Sequence, residues 1–274
     1  MQTQFKVRQQ SSSDFSADYS DPLYHIFLLN GTGKLWIDLV EYEFEGKTAI
    51  FSSPYQNIRI EIQEETPLKI IDFHGDFYCI EYHKKEVACN GLLFNNIYLY
   101  PNVSLDEKTF AELSDIFEKI QKINPTENFS DAVLKSYLQL VLAISSREKS
   151  KILDEKQIET VDFEELKTFQ SLVEEHFRTE RSPAFYADLM YISPNALSKK
   201  IKKEFLKTPS QIIQERVILE AKKQIHLTRK SIKEVAAELN FQDEYYFSKY
   251  FKKATGVSPT QFREDVGISV VADL

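Results

Sequence analysis

The chain has 274 residues, 42% hydrophobic and 28% charged, with a formal net charge of −8; this is the composition of a globular protein with room for two modest cores. No stretch approaches the roughly 18 continuous apolar residues of a membrane helix, and the opening MQTQFKVRQQ carries no apolar run, so neither a membrane span nor a signal peptide is expected. With seven glycines, and no P-loop, dinucleotide glycine pattern, nucleophile elbow or paired-histidine metal motif, an enzyme is not expected either.

Residues 1–20 are polar and Ser-rich, and fraying is expected at the tip. From Leu23 to Tyr100 the texture is β. Tyr24 to Leu29 is an apolar run that stops at Asn30-Gly31-Thr32-Gly33, and Leu35 to Leu39 follows as a second strand. Tyr42-Glu43-Phe44 leads to a turn at Glu45-Gly46-Lys47, and Thr48 to Phe51 resumes before Pro54. Ile58 to Ile62 alternates apolar and polar, and Leu68 to Phe73 is another strand. Short strands at this spacing predict an antiparallel sandwich or barrel. His25, His74 and His83 are scattered along it, so no metal and no cofactor is expected. Phe73 to His83 is rich in aromatic and polar groups; it reads as core plus loop, with a ligand pocket or a face toward a second domain as alternatives. Cys79 and Cys89 lack metal-type spacing; reduced thiols in a cytosolic chain are expected, with a disulfide between them left open.

Helical texture begins at Ser104. Phe110, Leu113, Ile116, Phe117 and Ile120 line one face of a helix that ends before Pro125. A second helix, about 129–147, carries Val133, Leu134, Tyr137, Leu138, Val141, Leu142 and Ile144. So broad an apolar face fits burial against the strands, against a second subunit in a dimer, or both. The polar run Ser145 to Lys151 reads as linker, with helix over part of it as an alternative. The expected division is a domain over 1–150, a linker over 151–162 and a second domain over 163–274.

The second domain reads as all helix. Phe163, Leu166, Phe169, Leu172, Val173 and Phe177 mark the first helix, and Ser182-Pro183 starts the next. Ser193-Pro194 starts another, with Leu197 and Ile201 inward and Asn195, Ser198, Lys199 and Lys202 outward. Thr208-Pro209 opens a long helix to about Leu227. Ser231 and Glu234 form a capping box for a short helix that ends at Asn240. Asp243 caps a final helix, on which Tyr246, Phe247, Tyr250 and Phe251 are assigned to the core and which Thr255-Gly256 stops. Two short helices with a tight turn describe a helix-turn-helix. On spacing alone an ordinary helical hairpin with a solvated basic face fits as well. The recurrence upstream tips the balance: Ser193-Pro194-Asn195-Ala196-Leu197-Ser198-Lys199 and Asp243-Glu244-Tyr245-Tyr246-Phe247-Ser248-Lys249 share one pattern about 50 residues apart.

Charge follows the same division. Residues 193–263 hold 15 Lys and Arg against 7 Asp and Glu, a balance of +8 that leaves −16 for the rest. A basic C-terminal region on an acidic body suits a polyanionic partner held at that end.

Residues 164–265 resemble the C-terminal DNA-binding domain of AraC/XylS-type transcriptional regulators. The resemblance rests on Ala187, Ile192-Ser193-Pro194, Leu197-Ser198-Lys199, Arg216, Ala221, Ser231-Ile232, Val235-Ala236 and Phe241, then on Tyr246-Phe247-Ser248-Lys249, Phe251-Lys252-Lys253, Gly256-Val257-Ser258-Pro259 and Phe262-Arg263. Tyr191, Leu206 and Asn240 depart from it, standing where the family often has glycine. Residues 1–150 resemble the family's cupin-like sensor domain through Leu28 to Gly33 and Phe44 to Lys47. The implied architecture is α+β in two domains: an antiparallel, cupin-like β-barrel with following helices, then an all-α domain with two helix-turn-helix motifs joined by a long helix.

The resemblance implies a sequence-specific, cytoplasmic transcription regulator with recognition helices at about 194–204 and 243–254 in successive major grooves. Asn195, Ser198, Lys199, Glu244, Tyr245, Ser248 and Lys249 are then the base-contacting candidates. Asn suits adenine, Lys guanine, Glu the cytosine amino group, and an aromatic ring the thymine methyl. Lys202, Lys203, Lys252 and Lys253 are the phosphate-contacting candidates. The implied partners are double-stranded DNA, a small-molecule effector, a second copy of the chain and, for an activator, RNA polymerase. The competing reading is a helical protein-interaction module fused to a cupin-like domain, without specific DNA binding.

Overall fold

A computed structural model describes residues 5–38, 40–78, 80, 92–124, 127–157 and 163–269. The chain divides into two compact units: Met1–Asn96 with Tyr100–Leu153, and Ile97–Leu99 with Asp154–Leu274. Cys79, Cys89, His83 and the 158–162 part of the expected linker lie outside the described residues.

In the N-terminal unit the strands are β1 (Phe5–Ser11), β2 (Tyr24–Asn30), β3 (Gly33–Ile37), β4 (Val40–Phe44), β5 (Lys47–Ser52), β6 (Ile58–Ile62), β7 (Pro67–Phe73) and β8 (Asn102–Ser104). All pairs are antiparallel. They form two sheets, ordered β1-β7-β2-β5-β8 and β4-β3-β6. Of sandwich and barrel, the sandwich is the form adopted; the described strands do not close into a barrel. Strand β1 is an addition to the expected strands, and residues 1–4, the tip where fraying is expected, lie outside the described residues. The strand pairs with β7 from Phe5 opposite Phe73 to Ser11 opposite Pro67, and Phe5 and Val7 pack on the core.

Period-2 alternation explains the layering. Phe27 and Leu29 of β2 join Leu35, Tyr42, Phe44, Ile58 and Ile60 in a core between the sheets. Ile26 and Leu28 point the other way, into a second core with α1 (Glu107–Gln121) and α2 (Ser130–Gln157). A strand buried on both faces reads as a nearly continuous apolar run, as Tyr24 to Leu29 does with His25 its one polar member. On the helices, Leu113, Ile116, Phe117 and Ile120 of α1 and Leu134, Leu138, Val141 and Leu142 of α2 are buried.

Helix α2 runs well past its expected end at 147, so residues 145–151 are not linker. Ser145, Ser146, Glu148 and Lys149 are buried. The Lys149 ammonium donates to the Tyr100 and Asn102 carbonyls at 2.5 and 2.7 Å, which is how a polar stretch earns a buried place.

His25 is a buried core histidine rather than a ligand candidate. Its Nδ1 lies 2.7 Å from Asp72 Oδ1 and its Nε2 2.9 Å from Asp21 Oδ1, and Arg8 reaches the other oxygen of Asp72 at 2.5 Å. His74 accepts from the Asp76 backbone N–H. Among the described residues no group of three or more His, Cys, Asp or Glu could hold a metal ion, and no helix is long and apolar enough to cross a membrane.

The C-terminal unit is helical: α3 (Phe163–His176), α4 (Pro183–Leu189), α5 (Pro194–Phe205), α6 (Pro209–Leu227), α7 (Ile232–Glu238), α8 (Glu244–Thr255) and α9 (Pro259–Val266). Helix α9 follows the expected stop at Thr255-Gly256 and is an addition to the expected elements. Its signal was present: Ser258 caps it ahead of Pro259, as Ser193 caps α5 ahead of Pro194. Helix α6 forms the spine, with Ile212, Val217, Ala221 and Ile225 buried. Residues 97–99 belong to this unit. The buried Lys207 ammonium donates to the Ile97 carbonyl at 3.1 Å and to Glu215 at 2.6 Å.

Candidate nucleic-acid interface

Helices α4–α5 and α7–α8 are two copies of one device. Each second helix is capped by a short polar side chain: Ser193 Oγ accepts from the Ala196 N–H, and an Asp243 carboxylate oxygen accepts from the Tyr246 N–H. Each turn is a Schellman motif. The N–H groups of Tyr191 and Ile192 donate to Asp188 and Ala187, and those of Asn240 and Phe241 donate to Ala237 and Ala236. The residues that depart from the family glycines therefore keep the glycine geometry: φ is 54° at Tyr191, 57° at Leu206 and 55° at Asn240. Ahead of α7, the Ser231–Glu234 capping box forms as expected, and its bonds to the Ser231 N–H and hydroxyl hold the Glu234 carboxyl below its usual range.

Burial sorts the side chains of the two second helices. Leu197, Ile201 and Phe205 of α5, and Phe247, Phe251 and Thr255 of α8, take the inner line at spacings of four. Asn195, Lys199, Lys202 and Lys203 of α5 are exposed, and Ser198 is half-buried. On α8, Glu244, Tyr245, Lys249, Lys252 and Lys253 are exposed and Ser248 is half-buried. All eleven candidates thus lie on the outward or flanking sides of two corresponding helices. Two core assignments need correction. Tyr246 is 54% exposed and Tyr250 only half-buried. One residue is about 100° around a helix, so Tyr246 lies well off the line of Phe247 and Phe251, although its ring still touches Phe241 at 5.9 Å between centroids.

Several other lysines of the unit are neutralised. Lys200 pairs with Glu165, Lys207 with Glu215 and Lys230 with Glu238. Among the described residues no ion pair engages Lys199, Lys202, Lys249, Lys252 or Lys253. At these five lysines the outward sides of α5 and α8 carry positive charge that no ion pair offsets among the described residues, the arrangement phosphates attract. The copies differ at their N-terminal ends. Helix α5 begins without an acid in its first turn, whereas α8 has Glu244 there after the N-cap Asp243, with Tyr245 79% exposed beside it.

Arg181, in the loop before α4, was missed in the sequence because a lone polar loop residue has no period. Its guanidinium lies 4.0 Å from the Phe241 ring centroid and donates to the Leu239 carbonyl at 2.5 Å.

Residues 186–265 match the family described as a helix-turn-helix domain. The chain is 37% identical over 82 residues to the transcriptional regulatory protein YesN of Bacillus subtilis, covering 29% of this chain and 22% of that one. It is 34% identical over 80 residues to the arabinose operon regulatory protein of Escherichia coli, covering 29% and 27%. Among solved structures, ToxT from Vibrio cholerae O395 aligns over 97% of this chain and 99% of its own, at 18% identity and a TM-score of 0.41. The chain spans under two thirds of the length of the curated relatives it matches, 22% of YesN and 64% of the probable transcriptional regulator LumQ of Photobacterium leiognathi.

Proposed function

We propose that this chain, whose C-terminal unit is a helix-turn-helix domain of the AraC type, is a sequence-specific DNA-binding transcription regulator rather than an enzyme, acting in the cytoplasm. The observation that carries the proposal is the pair of corresponding helices α5 and α8, each with an apolar inner line, the same capped Schellman turn before it and outward lysines, of which Lys199, Lys202, Lys249, Lys252 and Lys253 have no ion-pair partner among the described residues. An ordinary helical hairpin has no reason to repeat all of this.

In this reading α5 and α8 enter successive major-groove segments, roughly one helical turn of DNA apart. Asn195, Ser198, Lys199, Glu244, Tyr245, Ser248 and Lys249 meet base edges, and Lys202, Lys203, Lys252 and Lys253 meet phosphates. A helical domain from 163 onward, preceded by a β-rich domain that ends within α2, fits this division of labour. The N-terminal domain serves as the sensor and dimerisation part, taking a small-molecule effector, and RNA polymerase is the further partner if the protein activates. A dimer draws support from Val133 and Leu140. They are seven residues apart on α2, share a face and are both exposed. Val133→Glu and Leu140→Glu would then shift the sedimenting species from dimer to monomer.

The direct test is selection of the full chain against a pool of random duplexes, followed by a salt titration on the winner. Enrichment of one sequence class, with log Kd rising steeply against log salt, upholds the reading. Absence of duplex binding at low salt by the folded chain would overturn it and favour a protein-interaction module.

A further inference from the structure

The two helix-turn-helix motifs share one backbone but not one environment. A Schellman turn satisfies the carbonyls of the residues two and three before the cap, and leaves the cap residue's own carbonyl to find a partner. At the second motif that cap residue is Leu239. The Leu239 carbonyl accepts from Arg181, and Arg181 lies two residues before Pro183, the first residue of the first motif. The same guanidinium stacks on Phe241, two residues further along the same turn. Phe241 in turn meets Phe247 and Tyr250 of α8, with centroids at 5.1 and 5.2 Å. Among the described residues no carboxylate pairs with Arg181, so its polar contact goes to the turn.

We propose that Arg181 is a positioning residue: it braces the start of the first motif against the turn of the second and so fixes the spacing and rotation between the two DNA segments the chain accepts. The inference rests on the DNA-binding reading above. Both motifs pack on α6, but a single helix leaves its neighbours some freedom to roll. A guanidinium that stacks with its face and donates from its edge restricts that roll in two directions at once. Lysine cannot reproduce both contacts, because its ammonium is a point charge without a plane. Angular freedom matters on DNA because one base pair of inserted spacing moves the second segment by about 3.4 Å and turns it by about 34°.

The test uses the full chain and duplexes selected by the wild type, with the spacing between the two selected segments then changed by one base pair either way. Wild type is expected to lose affinity by about tenfold or more for either change, within the range of a base mismatch. Arg181→Ala and Arg181→Lys are expected to bind the best site several-fold more weakly and to lose less than about threefold when the spacing changes. Their preference within each segment should stay as in wild type, since no base-facing side chain is touched. Phe241→Leu, which removes the stacking partner and keeps the carbonyl, should loosen spacing in the same direction. Thermal unfolding separates a folded variant from a collapsed one; if Arg181→Ala fails to fold, Arg181→Lys decides. A folded Arg181→Lys or Arg181→Ala protein that keeps the wild-type spacing penalty overturns the inference while leaving DNA binding intact. If the wild type selects no duplex, the DNA-binding reading itself fails and the brace has no spacing to set.

Discussion

Tyr191 and Asn240 hold the same left-handed backbone, with φ of 54° and 55°, each one residue beyond the C-cap of the helix that leads into α5 or α8. The chemistry at the two positions is unequal. Asn visits this region readily, whereas a tyrosine there costs about 1–2 kcal/mol, and the Tyr191 ring, 96% exposed, returns little through packing. Tyr191→Gly is therefore expected to stabilise the C-terminal unit by roughly 0.5–1 kcal/mol, after subtracting the larger unfolded-state entropy of glycine. The thermal midpoint should rise by a few degrees. Asn240→Gly should stay within about 0.5 kcal/mol of wild type. A fall in midpoint for Tyr191→Gly would mean that the exposed ring has a partner inside the fold.

What the sequence disclosed, and what it hid, follows from the length of each signal. The duplicated motifs were legible because caps, turn residues and an inner line recur at fixed offsets, from Ser193 to Leu206 and from Asp243 to Gly256. Strand β2 was legible as an apolar run, broken only by His25. Tyr246 was misplaced because adjacent aromatics blur a period of 3.6. Residues 145–151 were misread because composition cannot distinguish a solvated lysine from one buried against two carbonyls. Strand β1 was hidden because its partner, β7, lies some 60 residues away, and alternation in Phe5-Lys6-Val7-Arg8 is too short to stand alone.

The His25 network sets a pH window for the N-terminal unit. Burial alone would lower the His25 pKa, but hydrogen bonds to Asp21 and Asp72, and their charges, outweigh it and hold the value above 6.5. Burial would raise both aspartates; for Asp72 the bonds to His25 and Arg8 prevail, and for Asp21 those to His25, Tyr19 and the Leu23 N–H, so both lie below 3.8. The signs follow. Protonated His25 stabilises the fold fully below pH 6.5 and loses that contribution as pH rises through its folded value. The aspartates contribute above pH 3.8 and lose it as pH falls through theirs. Unfolding followed by Trp36, the single tryptophan of the chain, should show a midpoint that declines on the alkaline side. His25→Asn should flatten that decline. An unchanged alkaline arm in His25→Asn would show that another group carries it.

Lys149 anchors α2 to the edge of the larger sheet. Strand β8 is the last strand in that sheet, and the buried ammonium meets the carbonyl of Asn102 on it and of Tyr100 just before it. Lys149→Ala removes a charged donor from two carbonyls at once and is expected to cost about 2–4 kcal/mol. Lys151→Ala, two residues on, removes an exposed partner of Glu148 and is expected to cost under about 1 kcal/mol. Urea unfolding read at Trp36 checks both. Equal, small effects would place the 145–151 stretch back among solvated linkers.

The lysines of α8 divide by their place along the helix, and that division gives the sharpest test of their roles. Lys249 lies one turn beyond Tyr245, in the middle of the helix, and Lys252 and Lys253 lie in the last turn; in the proposed reading the N-terminal half enters the groove first and the last turn lies nearer the phosphates. Lys249→Ala is expected to cost about 1–3 kcal/mol at the selected site and to relax preference at one base pair. Lys252→Ala should weaken all duplexes alike and reduce the slope of log Kd against log salt by about one. The two variants thus differ in kind as well as in size, and the wild-type sequence logo distinguishes them. If Lys249→Ala leaves the logo intact and lowers only the salt slope, its ammonium meets phosphate, and base reading by α8 falls to Glu244, Tyr245 and Ser248. If Lys252→Ala alters the logo, the helix inserts more deeply than its N-terminal cap suggests.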